Sequence, residues 1–337
     1  MATRLIVGES MRQAADITQY RSTKMKIAGT VQSRCYVRRQ DFLEELKSRS
    51  LGLTSKLPLI LNDRYLLEEH IGSGGMGLVF KSRDLKPVKP TGSNTSSIAI
   101  KILSEQFRSD PQARKYLRSE SSILKRIAHP NIVRVFDFEN DGGIPFITME
   151  YVEGKALDVI LEQNRYEGLP QQIAQGLIEA LASALSQVHS QQIVHSDLKP
   201  GNILVTDEGA PKIVDFGLSQ TIDARPSPIP DDLNTLNPDY LAAFTPAYAS
   251  REIIKGYQPD FSDDVFALGC IAYELYSGVH PYQKVPADQA EIQGLKAKRI
   301  PNITRHQWTA IRKAIAFRRE KRTPTATVFY QDISVGG

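Results

Sequence analysis

The spacing of apolar residues changes character once along the chain. Between Tyr65 and Tyr151 short apolar or alternating runs, at 65–71, 78–83, 98–103, 132–138 and 145–151, are bounded by Gly, Pro and polar residues, as β-strands are. One helix interrupts them: Ser109-Asp110-Pro111 supplies capping residues and a first-turn proline, and Ala113, Leu117, Leu124 and Ile127 keep a helical face. Past residue 152 the apolar steps become three and four. Ile173, Leu177, Leu181, Leu185 and Val188 make one amphipathic stripe. Ser262 to Ser277 is apolar on nearly every side and stops at Gly278, which predicts a helix inside a core. Gln307–Phe317 and Thr325–Ile333 predict two further helices, and 193–214 a strand–turn–strand. The polar stretch 86–97 and the proline-rich 218–244 have no period and read as long loops.

The first 61 residues follow neither pattern. Asp41, with Glu44 three residues on, predicts a short capped helix there. The chain is thus read as an extension at 1–61, a β-rich part at 62–152 and a helical part at 153–337. Residues 1–60 hold 11 Lys/Arg against 5 Asp/Glu, while the whole chain is only +4, so the basic excess belongs to the extension. Such a leader suits nucleic acid, acidic lipid or an acidic partner, and also reads as a plain solvated tail. No specific nucleic acid is expected.

Composition adds little beyond exclusions. With 41% hydrophobic and 24% charged residues the chain resembles an ordinary globular protein. No apolar run approaches a membrane span, and the start MATRLIVGES lacks the apolar core of a secretory signal. Cys35 and Cys270 match no metal-ligand or redox spacing, so a reduced, cytoplasmic setting is expected.

Four constellations carry chemistry. Gly72-Ser73-Gly74-Gly75-Met76-Gly77-Leu78-Val79 sits between two predicted strands. Missing side chains let backbone N–H groups approach a phosphate chain, and Val79 can pack on a purine. A dinucleotide-binding turn would need a helix after the glycines, whereas a strand follows here. By itself the run also fits a plain glycine hairpin. Ile98-Ala99-Ile100-Lys101 ends an apolar strand on an ammonium that must face something polar, and Glu120 on the next helix is a candidate carboxylate to hold it. His195-Ser196-Asp197-Leu198-Lys199-Pro200-Gly201-Asn202 and Asp215-Phe216-Gly217 complete the set.

In this order the pieces resemble the Hanks-type serine/threonine protein kinases of bacteria, over about residues 65–333. The resemblance implies an α+β, two-lobed fold, with a five-stranded sheet and one helix in the N-lobe and a helical C-lobe. It implies transfer of the γ-phosphoryl group of ATP to Ser/Thr hydroxyls of protein substrates, with autophosphorylation. The metal would be Mg²⁺, with Mn²⁺ the alternative. Phosphoryl transfer asks for alignment and charge neutralisation rather than covalent assistance. By resemblance Ile71, Gly72, Gly74, Gly77, Val79, Ala99, Lys101, Met149, Glu150 and Val152 bind ATP, and Asn202 and Asp215 hold metal. Asp197 handles the substrate hydroxyl proton, Lys199 neutralises the γ-phosphate, and Glu120 holds Lys101. Thr245 belongs to the segment that presents substrate, Glu252 pairs with Arg322, and Asp264 anchors the catalytic loop. Such kinases are cytoplasmic or form the cytosolic part of a longer membrane protein.

Three departures stand out. Ser196 replaces the arginine that many relatives use to grip a phosphorylated activation loop, so activity is expected not to depend strictly on that phosphate. Ser250-Arg251-Glu252 stands where Ala-Pro-Glu is usual. The spans from Gly77 to Lys101 and from Asp215 to Glu252, 24 and 37 positions, are long, and the second holds the hydroxyls Thr221, Ser227 and Thr235. The alternatives are a pseudokinase-type scaffold, which would lose Lys101, Asp197 or Asp215, and a small-molecule kinase, which would lack Lys199 and the Thr-Pro-x-Tyr segment. His129, Trp308 and Cys270 read as packing residues.

Overall fold

The computed structural model describes residues 59–73, 77–86, 97–216, 219–221 and 246–334. The helix expected at Asp41, Gly74, Thr245 and most of the loop 218–244 lie outside them. Two compact units emerge: residues up to Arg118 with Val135–Tyr151, and Ser119–Arg134 with Val152 onward.

The first unit is built on an antiparallel sheet. Its strands are β1 (Leu59–Leu61), β2 (Tyr65–Ser73), β3 (Gly77–Asp84), β4 (Ser97–Leu103), β5 (Val135–Asp141) and β6 (Ile144–Glu150), in the order β1-β2-β3-β4-β6-β5. Six strands stand where five were expected. The additional one comes from the last residues of the 1–61 segment, pairing Leu61 with Tyr65 and burying Leu61. Alternation along the strands puts Leu67, Leu78, Phe80, Ile98, Ile100, Ile102 and Phe146 into one core. Gly77 is needed at its place, because a Cβ there would come within 2.7 Å of the Ile102 carbonyl oxygen on the neighbouring strand.

Two helices follow β4: α1 (Glu105–Arg108) and α2 (Pro111–Arg126), the second crossing from the first unit into the second. Strand β5 begins three residues later than its apolar run. Ile132 makes a single parallel bridge to Ile213 instead, and the Asn131 amide donates to the Pro211 carbonyl at 2.7 Å.

The second unit is helical around two small sheets. Strands β7 (Gly154–Ala156), β9 (Ile203–Thr206) and β10 (Pro211–Ile213) form one, β8 (Ile193–Val194) and β11 (Gln220–Thr221) the other. The helices are α3 (Leu157–Gln163), α4 (Gln171–Ser190), α5 (Arg251–Ile254), α6 (Phe261–Ser277), α7 (Ala287–Ile292), α8 (Arg305–Ala314) and α9 (Ala326–Ser334). As its sequence predicts, α6 is buried from Ser262 through Tyr276. A reciprocal box between Asp260 and Asp263 starts it, and Gly278, at φ 70°, ends it in the left-handed conformation. Helix α8 starts two residues before its apolar pattern, where Thr304 and Gln307 form a second box. Among the described residues no helix is long and apolar enough to cross a membrane.

Candidate active site

The loop between β8 and β9 is shaped by one carboxylate. Asp264, in the first turn of α6, accepts from the backbone N–H groups of His195 (2.8 Å) and Ser196 (2.9 Å) and contacts His189 Nε2 at 2.9 Å. Ser196 is thereby held at φ 67°, a left-handed conformation unusual for a residue with a Cβ. His195 is fully buried, its ring 4.5 Å from that of Phe216, and its Nδ1 accepts from the Asp197 N–H at 3.3 Å. Burial holds its pKa below the usual histidine value against the pull of Asp264 and Asp197.

On this support the polar side chains converge. Lys199 Nζ donates to Asp197 Oδ2 at 2.8 Å. Asn202, in a 3-10 turn at Pro200–Asn202, donates from Nδ2 to the Asp197 carbonyl (2.9 Å) and to Asp197 Oδ2 (3.2 Å). Its own carbonyl accepts from Val214 N–H at 3.0 Å, which brings Asp215 alongside. Burial raises the Asp197 pKa; Lys199 opposes this and the Asp215 charge reinforces it. The cluster therefore pairs a carboxylate of enhanced basicity with an ammonium it can share with an incoming anion.

A divalent ion fits these donors. The Asn202 NH₂ is committed to Asp197, so Oδ1 is the amide atom left for a hard cation. Among the described residues no three His, Cys, Asp or Glu side chains form a protein-only metal cage. Magnesium needs none, since it binds through one or two protein oxygens, phosphates and water.

In the first unit the register sorts the expected nucleotide residues. Lys101 lies opposite Val79 on β3 and Ile147 on β6, and Ala99 lies opposite Met149. Paired residues share a face, as do residues two apart, so Val79, Ala99, Lys101 and Met149 all sit on the sheet face opposite the Phe80–Ile100 core. Gly72 pairs with Val79 on the same side. Ile71 is exposed, Glu150 ends β6, and Lys101 is buried. Val152 and Glu120 belong to the second unit. Glu120 is buried and accepts from the Phe216 N–H at 3.4 Å, next to Asp215.

The protein kinase domain family matches residues 65–329. A probable serine/threonine-protein kinase of Clostridium perfringens is 32% identical over 243 residues, covering 72% of this chain and 33% of the relative. PknA of Mycobacterium tuberculosis is 30% identical over 235 residues, 68% of this chain and 50% of its own. The chain is a Hanks-type serine/threonine protein kinase domain. It spans between a third and a half of these relatives' length. The crystal structure of the Mycobacterium tuberculosis PknI kinase domain shares the fold, with a TM-score of 0.62 at 21% identity over 82% of this chain and 98% of that one. As a member of this family the domain uses ATP and a divalent metal.

In this kinase domain the expected Glu252–Arg322 pair is present. Arg322 Nη2 donates to Glu252 Oε2 at 2.7 Å, and Nη1 to Asp263 Oδ1 at 3.1 Å. Ser250 Oγ donates to Asp263 Oδ1 at 2.8 Å and caps α5 by accepting from the Ile253 N–H. Arg251, at the usual proline position, lies 2.8 Å from Glu291 on α7, and Glu291 also binds Arg318 at 3.0 Å. The ion pair replaces ring stiffness with a cross-link.

The sequence reading missed a second buried pair. Tyr248 Oη donates to Glu274 Oε2 at 2.6 Å, and burial raises the pKa of both groups. A glutamate on the all-buried helix α6 was the available signal, since a buried carboxylate requires a donor.

Proposed function

We propose that the domain transfers the γ-phosphoryl group of ATP to serine and threonine hydroxyls of protein substrates, and to hydroxyls of its own chain. One observation carries this reading: Lys199 and Asn202 both donate to the carboxylate of Asp197, with Asp215 alongside. Asp197 accepts the proton of the attacking hydroxyl, which its burial-raised basicity favours. Lys199, already 2.8 Å from Asp197, offsets charge growing on the transferred group. A Mg²⁺ ion, or Mn²⁺ in its place, would supply charge neutralisation and alignment of the phosphates. Asn202 Oδ1 and Asp215 are the residues that would hold it. Lys101 is read as the lysine for the α- and β-phosphates, with Val79, Ala99 and Met149 lining the purine. The chain has a cytoplasmic location in this reading, either alone or as the cytosolic part of a membrane protein, and its basic extension engages a separate acidic partner.

Mass spectrometry of the protein purified with and without Asp215→Asn tests the self-directed step. Phosphoserine or phosphothreonine on the wild type alone supports it. Equal phosphate on both proteins, placed there by the host, contradicts it.

A further inference from the structure

Residues 295–322 hold ten Lys/Arg and one Asp/Glu. Part of this charge is used structurally, because Arg318, Arg319 and Arg322 pair with Glu291, Asp263 and Glu252. Lys296, Lys298, Arg299, Arg305 and Arg312 are exposed and make no ion pair with any described residue. They lie close together. Tyr273 Oη donates to the Lys298 carbonyl at 3.0 Å, and the Tyr273 ring is 6.4 Å from that of Trp308 on α8. Arg305 and Arg312 flank Trp308 three residues before and four after it, on one helical stripe. The strip 296–299 therefore borders the face on which Trp308 stands between two arginines.

Helix stability does not account for this charge. The first turn of α8 has no acidic residue and carries Arg305 and His306, at the end where the helix dipole disfavours cations. Clustered like charges also repel one another. Trp308 is half-buried, where a packing residue was expected. An indole offers an apolar body and one N–H donor, a combination that settles at the boundary between water and acyl chains.

We infer that this face, Lys296–Arg299 with Arg305, Trp308 and Arg312, docks on a membrane surface rich in anionic lipid. Anionic headgroups pair with the cations while the half-buried indole settles at the boundary between water and acyl chains. Each basic residue near an anionic surface contributes about a fivefold gain in binding. Four together give more than about a hundredfold, falling steeply with salt.

The chain has a single tryptophan, so its fluorescence reports this face directly. The full chain is titrated with vesicles of phosphatidylcholine alone, and with vesicles containing about one-third phosphatidylserine. Three proteins are compared: wild type, Lys296→Gln/Lys298→Gln/Arg305→Gln/Arg312→Gln, and a control, Lys86→Gln/Lys115→Gln/Lys155→Gln/Lys255→Gln, with thermal melts confirming folding. Expected are binding and a blue shift of Trp308 on anionic vesicles only, weakened at least about a hundredfold by the first set and only a few-fold by the control. Vesicle binding that survives the first set intact would belong to the basic extension and overturn the inference. So would an unchanged Trp308 spectrum on bound vesicles, or tighter binding to duplex DNA or polyglutamate. If the first set melts well below wild type, the Arg305→Gln/Arg312→Gln pair is used, for which at least about a tenfold loss is required.

Discussion

The Asp264 carboxylate holds the backbone N–H of Ser196, 68 residues earlier in the chain, at 2.9 Å. With the His195 N–H on its other oxygen, this contact fixes the backbone from which Asp197 projects. Replacing Asp264 by Asn turns an acceptor of three donors into a group with a single acceptor oxygen and an opposing NH₂. The expected cost is about 2–4 kcal/mol of stability, read by urea unfolding. The expected fall in kcat is more than about tenfold, with little change in KM for ATP, because loop position and not nucleotide contact is lost. An unchanged kcat would remove Asp264 from the positioning role.

Ser196 has no guanidinium with which to grip a phosphate, and its Oγ is buried without a partner among the described residues. Phosphatase treatment of the wild-type protein is expected to leave peptide phosphorylation within about threefold of the untreated level. Ser196→Arg is expected to leave basal turnover similarly unchanged. A large loss on removing phosphate from 219–245 would contradict this account.

Arg322 is buried between Glu252 and Asp263. Burial alone would raise the Glu252 pKa, but the hydrogen bond and charge of Arg322 outweigh it and leave the carboxyl below its ordinary value. The stability this adds is complete above the unfolded carboxylate pKa and is lost as pH falls through the lowered folded one. Arg322→Met leaves the buried Glu252 without its guanidinium partner, while Asp263 keeps Arg319 and Ser250, for an expected loss of about 3–5 kcal/mol at neutral pH. Acid should narrow the gap, since protonation weakens the wild type and relieves the variant. Glu252→Gln/Arg322→Met together should cost less than Arg322→Met alone. Thermal melts from pH 4 to 8 test both statements, and a gap that widens towards acid would refute the first.

Burial raises the Asp197 pKa above the ordinary aspartate value, and Lys199 restrains the rise. The acid limb of kcat/KM should therefore lie above about pH 4. Lys199→Met should move that limb to still higher pH while lowering kcat. A limb shifting downward would mean that Asp197 is not the titrating base.

Much of this is legible in the sequence, for physical reasons. Helix α6 announced itself because a helix buried on all sides must be apolar on all sides. Val79, Ala99, Lys101 and Met149 are named through the resemblance, and the strand register that puts them on one sheet face is not written in their spacing. Strand β1 was hidden, since three residues are too few to display a period. The contacts of Arg251 with Glu291 and of Tyr248 with Glu274 join positions tens of residues apart, and no spacing rule connects them. The left-handed backbone of Ser196 was equally invisible, because serine carries no mark of a positive φ imposed from elsewhere.

The most direct measurement is phosphate transfer itself. Wild-type protein with magnesium and γ-labelled ATP should place label on serine and threonine of a generic protein substrate. Asp197→Asn and Asp215→Asn should place almost none, while melting close to wild type. No transfer by the wild type, or transfer undiminished in Asp215→Asn, would contradict the account.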